Sequence, residues 1–181
     1  MNFENMTPGN LEPSKPGNLD PIKVGMAELA IASTPAKITT IGLGSCVGVV
    51  FYDKSKSLGA MAHIMLPSST LSKKGEPENK AKYADSAVSD LFSQMLSKGS
   101  RRTSIVAKIF GGANMFSLIV RSNKLMNMGD RNVAAVREEL DKIGIKIVAE
   151  EVGGNVGRTI TLDTTDGKVY LRTIKGERRE Y

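Results

Sequence analysis

A succession of short apolar and β-branched runs, each stopped by glycine, proline or a polar cluster, constrains this chain more than any other feature of its sequence. Ile22 to Ser33 reads as one strand, broken near Thr34-Pro35. Lys37 to Ile41 reads as a second, ending in the Gly42-Leu43-Gly44 turn, and Cys46 to Tyr52 as a third, rich in β-branched residues. Leu58 to Leu66 is a further apolar run, closed by Pro67. Ile105 to Phe110 has the character of a buried strand running into Gly111-Gly112, and Ile145 to Val152 is again strand-like. Thr159 to Leu162 and Lys168 to Ile174 flank Asp166-Gly167, a strong hairpin signal. Helical spacing occurs twice. Ala84, Val88, Leu91, Phe92, Met95 and Leu96 recur on one face before Gly99. Val133, Val136, Leu140 and Ile143 line a helix expected to begin near Asn132, a good N-cap residue, and to stop at Gly144. Many strands with two helices predict an α+β domain over residues 21–181. Residues 1–20, with Pro8, Pro13 and Pro16 among polar residues, hold too little apolar surface to offset the entropy of ordering and are expected to form a disordered extension. Leu71 to Lys82 reads as a surface loop.

With 181 residues the chain can bury a core without disulfides or metals to brace it. Its one cysteine cannot form an internal bridge, and no basic, apolar and small-residue leader opens the chain, so a cytoplasmic location is expected. The apolar stretches fall short of the roughly 20 residues that cross a bilayer, which argues against membrane insertion. A net charge of +6 would assist approach to an acidic surface. Nucleic acid is disfavoured, because basic residues are interleaved with acids, as in Lys175-Gly176-Glu177-Arg178-Arg179-Glu180, and there is no tryptophan for base stacking.

Chemistry must be sought at the single cysteine, Cys46, and the single histidine, His63. A free thiol is only slightly ionised at neutral pH, so it needs a neighbouring base to act as a nucleophile, and His63 is the only imidazole able to supply one. Several familiar arrangements fail. Gly42-x-Gly44 lacks the third glycine and following helix of a dinucleotide fingerprint. Gly44-Ser45-Cys46-Val47-Gly48 resembles a nucleophile elbow, but the β-branched run after Cys46 contradicts the helix that motif needs. No arginine follows Cys46 at the spacing of a cysteine phosphatase. One cysteine and one histidine fall short of a zinc site, and no cofactor is expected. The pair can equally be a small buried hydrophobe and a satisfied core histidine. The surrounding glycines favour chemistry, since they allow close approach of a carbonyl and leave backbone N–H groups for an oxyanion.

Thr40-Ile41-Gly42-Leu43-Gly44-Ser45-Cys46-Val47, followed by Gly59-Ala60-Met61-Ala62-His63-Ile64-Met65-Leu66-Pro67, closely resembles the chemoreceptor glutamine deamidase (CheD) family. Lys108-Ile109-Phe110-Gly111-Gly112-Ala113-Asn114-Met115-Phe116, Gly129-Asp130-Arg131-Asn132 and Gly153-Gly154-Asn155-Val156-Gly157-Arg158 are similar to later signatures in the same order. Gly48, where the family often has alanine, is a departure. The resemblance implies mixed sheets packed together with helices outside, as in glutamine-deamidating toxins. It implies Cys46 as nucleophile, His63 as base and Thr40 as third member, with Gly44 and Ser45 near the oxyanion. It also implies hydrolysis of glutamine side chains to glutamate on chemoreceptor helices, and a CheC-type chemotaxis phosphatase as second partner. Two alternatives stay open: a binding module that regulates that phosphatase with little catalysis of its own, and a redox-sensing thiol.

Overall fold

Side-chain alternation along the strands decides which surfaces meet, and in the computed structural model it produces two sheets stacked face to face, with the helices of the described residues on one side. The structure describes residues 20–72, 79–114 and 128–181. The expected extension, apart from Asp20, the middle of the Leu71–Lys82 loop, and Met115 and Phe116 lie outside the described residues.

The first sheet contains β1 (Ile22–Lys23), β3 (Lys37–Leu43), β8 (Arg158–Asp163), β9 (Val169–Thr173) and β10 (Arg178–Glu180), in the order β1-β3-β8-β9-β10. The second contains β2 (Leu29–Ser33), β4 (Val47–Asp53), β5 (Leu58–Ile64), β6 (Ile105–Gly111) and β7 (Lys146–Val152), in the order β2-β5-β4-β6-β7. Both sheets are mixed: β1 pairs parallel with β3 and β6 with β7, while the other pairings are antiparallel. Helices α1 (Ala84–Ser97) and α2 (Met128–Lys142) pack against the second sheet.

The second sheet is therefore the middle layer, and its central strands are buried on both faces. Every residue of β4 and β5 is buried, which explains why their sequences run nearly continuously apolar instead of alternating. One face places Val47, Val49, Phe51, Ala60, Ala62 and Ile64 against Ala87, Val88, Leu91, Val136 and Leu140 of the helices. The other places Val50, Met61 and Phe110 against Ile38, Leu43, Ile160 and Leu162 of the first sheet. In β8 and β9 the alternation is complete: even positions of β8 and odd positions of β9 are buried, and the intervening residues face solvent.

Three expectations are revised. Ile22 to Ser33 is not one strand: the chain turns at Gly25–Glu28, with Ala27 at φ 57°, and crosses from the first sheet to the edge of the second. Ala27 N–H donates to His63 O at 3.0 Å, and His63 N–H donates to Glu28 O at 2.9 Å, so the crossing is pinned to β5. Helix α2 begins at Met128, so Asn132 lies within it and is not its N-cap. The charged C-terminal stretch, read only as mixed charge, forms β10 against β9, because backbone pairing at a sheet edge needs no apolar pattern.

Ile160, fully buried between the sheets, tests this layering. Ile160→Ala should lower stability by about 2–5 kcal/mol. Arg178→Gln on the exposed strand should stay within about 0.5 kcal/mol of the parent, both read from urea unfolding midpoints.

Candidate active site

Strand register brings the sequence-predicted residues to one end of the inter-sheet layer. His63 on β5 is the Cα partner of Gly48 on β4, and Cys46 lies two residues upstream of Gly48, immediately before β4. With a side-chain period of two, Cys46, Gly48 and His63 share the face turned toward the first sheet. A diagonal pair of this kind has its Cα atoms about 7–8 Å apart, within reach for a ring and a thiol. The half-buried Cys46 packs against the inter-sheet cluster. A Cβ at Gly48 would stand 2.9 Å from both Ile160 Cδ1 and Leu43 Cδ1, so glycine lets the facing sheet close down beside the histidine.

Thr40 comes from that facing sheet. Its Oγ1 lies 2.7 Å from His63 Nδ1 and 2.7 Å from the carbonyl oxygen of Val24. These two contacts fix the imidazole's protonation pattern. A carbonyl only accepts, so the single hydroxyl proton goes to Val24 O, and the Thr40 oxygen accepts from Nδ1–H. The lone pair is then on Nε2, which is buried and has no hydrogen-bond partner among the described residues. A base held in one tautomer with its free nitrogen away from bulk water is what proton transfer requires.

The loop carrying Cys46 is held by its carbonyls. Ala113 N–H donates to Gly44 O at 2.6 Å and Gly112 N–H to Cys46 O at 2.7 Å. Gly111, at φ 104°, passes so close that a Cβ would collide with the Cys46 carbonyl oxygen, which requires glycine there. Asn132 closes the loop from the helical side: its Nδ2 donates to Ser45 O and to Met65 O, each at 2.9 Å. Sequence reasoning missed this role for Asn132, as it missed Val24. The available signal was a polar residue inside the apolar stripe of α2, next to Val133 and one turn before Val136.

The expected oxyanion donors separate. Gly44 N–H is already committed to Gly42 O at 2.9 Å. The N–H groups of Ser45 and Cys46 have no carbonyl acceptor among the described residues, and the Cys46 N–H lies against its own sulfur. No cluster of three or more metal-ligating side chains occurs among the described residues.

Burial dominates the electrostatics. It pushes the Cys46 thiol above its ordinary range, with the residue's own backbone N–H opposing this more weakly. It pushes the His63 imidazolium below its ordinary range. Both shifts favour the uncharged forms, so at neutral pH the site rests as a thiol beside a neutral imidazole. The linkage signs follow. Stability falls as pH drops below about 6.5, where the unfolded chain takes up a proton that folded His63 resists. It also falls as pH rises above about 8.5, where the unfolded chain loses a proton that folded Cys46 retains.

A family model described as CheD chemotactic sensory transduction matches residues 65–173. Chemoreceptor glutamine deamidase CheD of Halalkalibacterium halodurans is 49% identical over 156 residues, covering 86% of this chain and 95% of its own. Two proteins described as probable chemoreceptor glutamine deamidase CheD, from Moorella thermoacetica and Caldanaerobacter subterraneus, are each 46% identical over 151 residues, covering 83% of this chain and 89% and 91% of their own. Alignments of that length necessarily span Thr40, Cys46 and His63, which lie upstream of the family model's match. A solved structure, hypothetical protein YfiH of Bacillus licheniformis, aligns with a TM-score of 0.47 at 15% identity, over 70% of this chain and 51% of that one.

Because Cys46 is the only cysteine, the unfolded chain is its own reference for reactivity. Iodoacetamide alkylation of the native protein, followed by intact mass, should have its pH midpoint above that of the same protein in urea. A native midpoint below the unfolded one would mean a resting thiolate and would overturn the neutral-pair assignment.

Proposed function

The chain belongs to the CheD family, and from that premise we propose that it hydrolyses glutamine side-chain amides on chemoreceptors to glutamate, as a protein-glutamine glutaminase acting in the cytoplasm. The observation that carries this reading is the hydrogen-bonded set Val24–Thr40–His63, which leaves Nε2 as the free base on the same inter-sheet face as the only thiol.

In the proposed cycle, Cys46 Sγ attacks the amide carbon as its proton passes to His63 Nε2. The oxyanion accepts hydrogen bonds from the N–H groups of Ser45 and Cys46; Gly44 contributes loop geometry, its own N–H being engaged. His63 then gives the proton to the departing nitrogen, the C–N bond breaks, and ammonia leaves. Water attacks the thioester carbon with its proton going to Nε2, the C–S bond breaks, and the sulfur recovers a proton as the glutamate side chain departs. Thr40 holds Nδ1–H throughout, which stabilises the transient imidazolium and keeps the ring oriented. The route employs side chains and backbone alone.

The proposal extends to organisation and partners. Residues 21–181 form the deamidase domain and residues 1–20 an extension. A CheC-type chemotaxis phosphatase is the second partner, and pull-down with the purified phosphatase tests that contact separately.

Cys46→Ala should abolish the gain of about one mass unit per modified glutamine in a receptor fragment while keeping the parent's urea midpoint. A receptor that still gains mass with this variant refutes the nucleophile assignment. Thr40→Val should lower kcat at least about tenfold with little change in KM, and Thr40→Ser should restore most of it. Equal activity of the valine and serine variants would show that the hydroxyl does not hold the imidazole.

A further inference from the structure

Among the described residues no helix covers the outer face of the first sheet, and the side chains on it are not an ordinary solvated mixture. Arg172 on β9 stands directly opposite Arg178 on β10 and, on its other side, opposite Thr159 on β8. The next row holds Thr161, Tyr170 and Glu180, and together these residues line a shallow groove of ≈ 580 Å³. Like charges directly opposite across a ladder destabilise it unless something compensates them. The neighbouring cations are compensated: Lys168 pairs with Glu180 at 2.6 Å, Arg179 with Glu177 at 3.3 Å, and Lys37 with Asp163 at 3.7 Å. Arg172 and Arg178 have no such carboxylate among the described residues.

The row of arginines leads to the reacting end of the molecule. β3 pairs with β8 through Thr40 and Ile160 and again through Leu43 and Arg158, with a bulge between them, so Ile41 and Gly42 flank Thr159. Ile41 is 65% exposed and Ile174, just beyond β9, is 75% exposed. Ile174 N–H donates to Gly157 O at 3.1 Å, which places it at the same end of the sheet. An apolar rim thus separates the arginine pair from the Gly42–Cys46 loop. Exposed aliphatic side chains grouped beside a cationic row suit a partner segment with apolar and acidic stripes.

We propose that this face docks the protein substrate itself: an acidic amphipathic helix of the receptor, whose carboxylates pair with Arg172 and Arg178 and whose apolar side chains cover Ile41 and Ile174. From β10 to β3 is three strand spacings, about 14 Å, which a helix spans in fewer than three turns. A helix anchored on the arginines therefore reaches the edge at β3, where the chain after Leu43 turns toward the inter-sheet layer that holds Cys46. The positive net charge of the chain steers such a partner. The inference rests on the deamidase reading and is tested so that the two can fail separately.

The test compares the full-length protein with an Arg172→Glu/Arg178→Glu double variant, using a receptor cytoplasmic fragment followed by mass. The variant should raise KM about tenfold or more with kcat within about twofold, and Arg172→Lys/Arg178→Lys should stay near the parent. Added salt should raise the parent's KM and lower that of the Glu variant, whose repulsion of the acidic helix it screens. Iodoacetamide reactivity of Cys46 should be the same in all three. Binding of the fragment to the proteins in a Cys46→Ala background, which needs no turnover, should fall about tenfold in the Glu variant. If the parent deamidates and the Glu variant matches its KM and binding, the docking face is refuted while the deamidase reading stands. If the parent binds through the arginines but releases no ammonia, the deamidase reading fails and the docking face stands. Arginine-dependent binding of a single-stranded oligonucleotide, with receptor binding unchanged, would overturn the docking assignment.

Discussion

The hydrogen bond between Thr40 Oγ1 and His63 Nδ1 joins the two sheets, and the site exists only because both sheets contribute to it. Thr40 belongs to β3 of the first sheet and His63 to β5 of the second, and both are essentially buried. A buried imidazole and a buried hydroxyl are costly unless each finds a partner, so the pair discriminates against any sliding of one sheet over the other. The carbonyl of Val24 completes the arrangement by taking the only hydroxyl proton. One backbone acceptor, supplied by the residue just before the turn that carries the chain between sheets, thereby decides which imidazole nitrogen keeps its lone pair free.

The same dry layer that orients the histidine raises the thiol and lowers the imidazolium. A preformed ion pair would gain reactivity at rest, whereas in the proposed cycle a neutral pair develops charge only when an amide carbonyl meets the Ser45 and Cys46 N–H groups. Charge separation is then coupled to substrate entry, which protects a lone thiol from indiscriminate chemistry. The loop that presents it is held from two sides, by Gly112 and Ala113 at the end of β6 and by Asn132 from α2. Helix packing on the far side of the middle sheet is thus transmitted to the sulfur through a side-chain amide that grips two carbonyls.

The one-sided placement of the helices has a second consequence. The middle sheet, covered on both faces, carries His63 and leads in from Cys46, the proposed base and nucleophile; the first sheet, covered on one face among the described residues, carries the Thr40 hydroxyl and leaves its other face for the proposed partner. Arg172 and Arg178 occupy that open face in register across β9 and β10, beside the exposed Ile41 at the reacting end. Precision and recognition are allotted to opposite faces of the same strands, so the partner-facing residues can be polar and charged without disturbing the inter-sheet layer.

Much of this was legible in the chain. Alternation and turn glycines located β3, β4, β5, β6, β7 and the β8–β9 hairpin to within a residue or two, and the helical spacing from Ala84 to Gly99 matched α1. The glycine-rich run around Cys46 and its counterpart around His63 singled out the proposed reacting pair, and register places both on one face of the middle sheet. Other features depend on distant segments and left no local pattern. The turn at Gly25–Glu28 divides an apparently continuous strand because each half pairs in a different sheet. Asn132 reads as a helix cap but grips the carbonyls of Ser45 and Met65, and β10 forms from a sequence with no apolar period. The sequence by itself determined most of the elements and the candidate reactive side chains, because propensity, periodicity and chemical type are properties of neighbours along the chain. Only the tertiary structure decided which imidazole nitrogen is free, which N–H groups remain for an oxyanion and which arginines stand uncompensated. Each of those depends on a hydrogen bond or charge partner that folding brings from elsewhere in the chain.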